Sequence, residues 1–433
     1  MLLSALPVVF AATAGLSQSR TVLEILPPAP PPIGLPQLQT QVSCPTLQQT
    51  LQGLVGGESP VWSVTVAEPG GRLLADLNGT MPRIPASNQK LVSTAFALDR
   101  LGPDHRLTTQ LWRLPDGTLR VVGQGDPDFS IPELRQLAGA MLASLPAASG
   151  SSVLSSTASD SFTSGVLRRE LAEEPRSLWW PTGWHPQDRY EAYGAPITRL
   201  ALTSNALDQA VADPLARFQR LLTRTLNRPG TSVRVVPIAA QDPLPRQAQL
   251  LLEHPSAPMH RLLSLANTES HNFTAEVLLR QASQRWDGRE AAAAVSQWLA
   301  EQGLPMQGVQ VVDGSGLDRS NRVTSRFLAA LLLRMDHHPY GRDYLASMAI
   351  AGERGTLRHL FVGTPLQGHF RGKTGTITGV RAISGLLETT DGVRYISMVS
   401  NGASAPNRTI QSLLLAVLRD HRCVEAGPLA SLP

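Results

Sequence analysis

Lysine is almost absent from this chain. Of 38 basic side chains in 433 residues, two are lysine, Lys90 and Lys373, which leaves 36 arginines. Arginine keeps its proton in a protein and cannot serve as a base, whereas a lysine amine can once burial or a neighbouring cation lowers its pKa. A drift from lysine to arginine that spares two positions marks them as sites needing a compact or deprotonatable amine. Cysteine is nearly as scarce. Cys44 and Cys423 stand near opposite ends of the chain, which argues against a structural zinc site. They read either as two unrelated thiols or as a disulfide, the second requiring the terminal helices to lie side by side. Blocks of Lys/Arg and basic helices are missing too. The net charge of +4 therefore suits an anionic polymer in general and does not point to nucleic acid. No H-E-x-x-H is present and the histidines are scattered, so neither a metal nor a cofactor is expected. Beyond the first residues no apolar run is long enough to span a membrane.

What is present reads as a globular protein of two or three domains, with 42% hydrophobic and 17% charged residues. The start, MLLSALPVVFAATAGLSQSR, has a short apolar run and small residues at Ala12-Thr13-Ala14. It resembles a secretory leader cleaved after Ala14, although its first residues carry no positive charge. The expected compartment is therefore the periplasm or another extracytoplasmic space. PPAPPPIGLP, residues 27 to 36, reads as an extended tether. A helix is predicted over 44–56 and a hairpin over 61–77, turning at Pro69-Gly70-Gly71. A second helix runs to Gly102-Pro103 with Ser87 at its start. Residues 113–245 differ in texture. They hold a Ser/Thr/Ala-rich patch at 148–165 and a tryptophan cluster, LWWPTGWHP, at 178–186 that reads as packing in preference to a sugar platform. A strand-like ITRLAL follows at 197–202, then a helix at 215–226 and a strand at 232–238. From His260 the pattern is largely helical to about 349. Three extended segments at 369–377, 380–389 and 393–402 then form an antiparallel meander, and a helix at 410–418 closes the chain.

Three short motifs stand in order: Ser87-Asn88-Gln89-Lys90, Ser270-His271-Asn272 and Lys373-Thr374-Gly375. In an S-x-x-K at a helix start, positions i and i+3 share a face, so the amine can reach the hydroxyl. The N–H groups there favour developing negative charge. A neutral amine so placed can take the proton from Ser87 as it attacks a carbonyl. Each motif alone can arise by chance; the three in order, on a helix start, a helical region and a strand, form a pattern. Gly372-Lys373-Thr374 imitates the end of a phosphate loop, but that motif needs glycine at position 367, which is Gln367. Gly314-Ser315-Gly316 lacks the G-x-S-x-G frame of a nucleophile elbow.

The triple motif resembles the signature of penicillin-recognising serine enzymes. The surrounding words PASNQKLVSTAFAL, GQGDPDF, YGAPITRLAL, DGSGLDRSNRVT, AGERGTL and GKTGTITGV resemble the class C low-molecular-mass penicillin-binding proteins, the D-alanyl-D-alanine carboxypeptidase/endopeptidases, across most of residues 40–420. The resemblance implies an α/β (α+β) fold, a transpeptidase/β-lactamase-like domain with an antiparallel sheet flanked by helices. That domain would comprise 37–112 and 246–433, with 1–36 as leader and linker. Residues 113–245 would be an inserted domain whose own inner insertion is reduced or absent. It also implies roles. Ser87 would be acylated, Lys90 would be its base and Ser270 would relay the proton to the leaving amine. Asn272 would bind the substrate's amide. Lys373, Thr374, Gly375 and Thr376 would bind the substrate, the first two holding the terminal carboxylate. The N–H groups of Ser87 and Thr376 would form the oxyanion hole. His271 departs from the family's usual S-D-N and is expected to point away from the reacting atoms. Peptidoglycan stem peptides would be the substrate and β-lactams covalent inhibitors. A β-lactamase and a catalytically silent wall-binding protein are the rival readings.

Overall fold

A computed structural model describes residues 36–144, 167–227 and 233–419, together with Cys423. The expected leader and most of the proline-rich stretch, and the Ser/Thr/Ala-rich patch at 148–165, lie outside the described residues. In chain order the main elements are α1 (Pro45–Val55), β1 (Trp62–Ala67), β2 (Leu73–Leu77), α2 (Lys90–Leu101), β3 (Thr108–Arg113), β4 (Leu119–Gly123) and α3 (Ile131–Ala143). Then come β5 (Leu167–Glu173), α4 (Pro214–Leu226), β6 (Val233–Ala239), β7 (Gln249–Pro255), α5 (Met259–Asn267), α6 (Asn272–Ser283) and α7 (Gly288–Glu301). The chain ends with α8 (Ser325–Asp336), α9 (Gly341–Ala346), β8 (Ala349–Ile350), β9 (Phe370–Ile377), β10 (Val380–Thr389), β11 (Gly392–Asn401) and α10 (Pro406–Leu418).

The first sheet has the order β2-β1-β11-β10-β9-β8 and is antiparallel throughout. β10 and β11 carry apolar side chains on both faces, and the pleat sorts them. Ala382, Leu386, Tyr395 and Val399 join a core with α2 and α5 to α8. Ile383, Leu387, Ile396 and Met398 join a second core with α1 and α10. Successive side chains point to opposite faces, so one strand feeds two cores. Both chain ends contribute to this sheet and its covering helices. A disulfide joins Cys44, just before α1, to Cys423, beyond α10. Of the two readings of the cysteines, the paired one holds, because α1 and α10 pack side by side.

The second sheet, β6-β5-β4-β3-β7, is mixed: β4, β5 and β6 run parallel and β3 pairs antiparallel with β4 and β7. It has its own core against α3 and α4. In α4, Phe218, Leu222 and Leu226 repeat every fourth residue and are all buried, and Asp213 caps the start by accepting from Ala216 N. Strand pairing carries this sheet from Thr108 to Pro255, past the 113–245 window set by composition. Between β5 and α4 the chain returns to the first core, where it buries Trp184 and Ile197.

ITRLAL is not a strand. Its alternation is real, with Ile197 in the first core and Leu200 and Leu202 in the third, but its backbone finds partners other than a ladder. Arg199 N and Leu200 N donate to the buried Glu173 carboxylate, Ile197 N to Trp179 O, and Arg199 O accepts from Gly125 N. A side chain thus replaces the neighbouring strand.

Candidate active site

Ser87 lies in a 3₁₀ turn, Ala86–Gln89, that runs directly into α2. The turn is held under constraint. Ala86 has φ 47°, a left-handed conformation that costs a non-glycine residue about 1 kcal/mol or more. Two glycines close on the turn. A Cβ on Gly375 of β9 would stand 2.6 Å from Pro85 O, and one on Gly316 would stand 1.9 Å from Ala86 O. Asn88 ties the turn to the sheet: in the orientation that satisfies its amide, Nδ2 donates to Lys373 O and Oδ1 accepts from Ser384 Oγ, both at 2.8 Å.

The Lys90 amine is fully buried and has three oxygen neighbours. They are Ser87 Oγ at 3.0 Å, Asn272 Oδ1 at 2.6 Å and Ser315 O at 2.7 Å. Two of these three accept only. Ser315 offers a backbone carbonyl, and Asn272 must present its oxygen because Nδ2 is donating to Tyr193 O at 2.9 Å. A neutral amine has two N–H groups, which these acceptors take up. Its lone pair then faces the Ser87 hydroxyl. Burial pulls the Lys90 pKa down to about 7, against the opposing pull of Asp313 and Glu276.

The Ser315 carbonyl is placed by a dense polar loop. Asp313 accepts from Trp184 Nε1 (2.9 Å), Gly316 N (2.7 Å), Asp318 N (2.8 Å) and Asn321 Nδ2 (2.8 Å). Glu276, one turn along α6 from Asn272, accepts from Gly314 N at 2.9 Å and Ser315 N at 2.8 Å. This is the DGSGLDRSN word of the sequence, and its spatial role had no reading there. The tryptophan cluster packs, as its composition suggested: Trp184 is buried, and its indole belongs to this loop.

Ser270 sits at the α5–α6 junction with φ 62° and faces the cleft with Ser87. The AGERGTL segment supports it from below. Thr356 N donates to Thr268 O at 3.0 Å, and Thr356 Oγ1 accepts from Thr374 Oγ1 at 2.9 Å. His271 lines neither part of the cleft. Its Nδ1 meets Thr274 Oγ1 at 2.7 Å, and burial, helped by the Lys90 charge, lowers its pKa to about 4, so the ring is neutral at ordinary pH.

On β9, Lys373, Thr374, Gly375 and Thr376 pair with Ser384, Ile383, Ala382 and Arg381 of β10. β8 covers β9 only at Arg371 and Gly372, so from Lys373 onward the other edge of β9 faces the cleft. Lys373 is wholly buried, and its Nζ donates to Thr374 O at 2.9 Å. Burial first, and the Lys90 charge second, lower its pKa well below the usual lysine value. The two amines therefore share one electrostatic neighbourhood, although burial is the leading cause at each. Thr376 Oγ1 accepts from Arg381 Nη1, a contact that no short motif announces.

Ser87, Ser270 and Thr376 stand where two lobes of the cleft meet. One lobe, about 620 Å³, is lined by Asn272, Tyr193, Asp188 and Arg319 among others. The second, about 600 Å³, runs past Thr374 and Thr356 toward α10. Among the described residues no cluster of His, Cys, Asp and Glu could hold a metal ion.

A model of the D-Ala-D-Ala carboxypeptidase 3 (S13) family matches residues 58–209 and 204–419. The chain belongs to this family. Among curated members, it is 27% identical to carboxypeptidase DacB of Mycolicibacterium smegmatis over 453 residues, covering 96% of this chain and 94% of the relative. It is 27% identical to the D-alanyl-D-alanine carboxypeptidase of Actinomadura sp. over 456 residues, covering 86% and 82%. In shape this S13 member resembles the crystal structure of penicillin binding protein 4 from Haemophilus influenzae, with a TM-score of 0.71 at 18% identity, over 87% of this chain and 100% of that one. The fold is thus the expected mixed α/β one, with an antiparallel sheet flanked by helices.

Proposed function

We propose that this chain is a serine D-alanyl-D-alanine carboxypeptidase/endopeptidase that acts outside the cytoplasm on peptidoglycan stem peptides and is acylated by β-lactams at Ser87. The observation that carries this reading is the buried Lys90 amine within hydrogen-bond distance of Ser87 Oγ, Asn272 Oδ1 and Ser315 O; once neutral, it gives its two N–H groups to the two obligate acceptors and leaves its lone pair for the Ser87 proton.

The chemistry follows from that geometry. Lys90 takes the Ser87 proton as Oγ bonds to the carbonyl carbon of the penultimate D-alanine. Charge collects on the carbonyl oxygen, facing the N–H groups of Ser87 and Thr376, each such donor contributing about 3 kcal/mol. The C–N bond then breaks. The proton passes from Lys90 through Ser270 to the departing amine, and water later cleaves the ester. The second hydrogen of Asn272 Nδ2 stays free for a substrate carbonyl, since only one is used on Tyr193 O. Thr376, whose oxygen accepts from Arg381 and whose own hydrogen is uncommitted, offers its hydroxyl to the terminal carboxylate, and Thr374 joins it by exchanging its bond to Thr356; Lys373 is buried on the same strand and makes no direct contact. The chain ends, 37–112 and 246–433, supply nearly all of these groups. We assign the five-stranded sheet with α3 and α4 to the inserted domain, and the 11 residues between ITRLAL and α4, 203–213, leave no room for an inner one.

The test is labelling with a fluorescent penicillin. Wild type should be labelled stoichiometrically and should release D-alanine from a pentapeptide; Ser87→Ala should do neither. Equal labelling of that variant rejects the assignment. Rapid turnover of the penicillin would favour the β-lactamase reading.

A further inference from the structure

The lobe beyond Thr374 is larger than a departing alanine needs. Its volume of about 600 Å³ falls in the range of about 300–1,000 Å³ that encloses drug-sized ligands. It lies on the leaving-group side, because Thr374 lines this lobe only, while Asn272 and Tyr193 line the other lobe. Its floor is apolar, with Leu360, Phe361, Ile383 and Ile410. Its charged groups have one sign. Arg381 and Arg408 line it, and no carboxylate does. Neither arginine belongs to an ion pair among the described residues, and Arg381 Nε is buried without a hydrogen-bond partner. The first turn of α10 forms one wall through Asn407 and Arg408, and its N-cap, Ala405, has no side chain to satisfy the free N–H groups. A helix start of this kind adds positive potential to that of the two guanidiniums.

Resting on the function proposed above, we propose that this lobe is the subsite for the departing half of a cross-link, a second stem peptide whose carboxylate is held by Arg381 and Arg408 at the open end of α10. The bond changes are those of D-alanine release. Ser87 Oγ bonds to the D-alanyl carbonyl and the C–N bond breaks. The proton leaves on the departing amine, which here belongs to another stem peptide instead of free alanine. Arg408 thereby acts on selectivity, favouring cross-linked stems over free pentapeptide ends.

The experiment compares wild type with Arg408→Glu, each as the full disulfide-bonded chain. The substrates are a disaccharide pentapeptide and a D-alanyl cross-linked dimer of the same stem. Glutamate in the first turn of a helix is favourable, so the variant keeps its fold, and penicillin labelling checks that. The ratio of kcat/KM for the dimer to that for the pentapeptide should fall by about fivefold or more, as loss and reversal of one partly exposed charge contact allows. A ratio within about twofold of wild type overturns the subsite. Wild type that releases D-alanine but leaves the dimer intact overturns it as well, with the proposed function still standing. Wild type that neither releases D-alanine nor takes up penicillin rejects the proposed function, and the subsite with it.

Discussion

At the scale of single residues, the proposed base is an amine whose protonation state is set by its burial. Lys90 can satisfy two obligate acceptors and still accept a proton only when neutral. With its pKa lowered to about 7 by burial, half the amines are free near neutrality. The protonated form cannot take the Ser87 proton, so the second-order rate of penicillin acylation should climb as pH rises from about 6 to 8. His271, with a pKa near 4, stays neutral throughout that window and adds nothing to the limb. A rate that is flat or falls over this interval would remove Lys90 as the base. These residues could be read from the sequence because the chemistry demands particular side chains at particular spacings. Ser87 and Lys90 must be one turn apart, and a base can be lysine but not arginine. Ser315 could not be read, since it contributes a carbonyl that every residue possesses. Arg381 and Arg408 were invisible for a related reason: in a chain with 36 arginines, one more at a cleft carries no signal.

At the scale of elements, the turn that carries Ser87 is positioned by neighbours that come close because they lack side chains. Gly316 combines φ 83° with contact against Ala86 O, so Gly316→Ala is strained in its own backbone and pushes on the turn. Displacing an attacking group by an ångström can cost about a hundredfold. The variant should therefore acylate at least about tenfold more slowly while its circular dichroism stays native; wild-type rates would mean the turn does not need this support. The strands β9, β10 and β11 were legible because they are extended segments set apart by short turns at Thr378-Gly379 and Asp391-Gly392. ITRLAL carries an apolar alternation and is no strand. Periodicity reports which way side chains face; it does not report whether the backbone bonds to a strand or, as here, to the Glu173 carboxylate. The reach of β3 and β7 into the second sheet escaped for a similar reason, since composition changes gradually where hydrogen-bond pairing changes abruptly.

At the scale of the whole molecule, α1 and α10, the first and last helices among the described residues, meet on one face of the first sheet. The disulfide between Cys44 and Cys423 closes a loop of 379 residues, and cross-links of this kind contribute about 2–4 kcal/mol, chiefly by restricting the unfolded chain. Replacing both cysteines by alanine should lower the unfolding free energy by that order, read as a lower denaturant midpoint with unchanged labelling of Ser87 at room temperature. An unchanged midpoint would show the link to be dispensable. The burial of both lysines has an outcome of a different kind. Neither Lys90 nor Lys373 is exposed to solvent, so the folded surface offers no primary amine apart from the chain's own terminus. Amine-directed reagents such as succinimidyl esters will mark the native enzyme there alone. An endoprotease that cuts after lysine will find its two sites only when the molecule opens, which makes each cut a clean reporter of unfolding around the reactive centre.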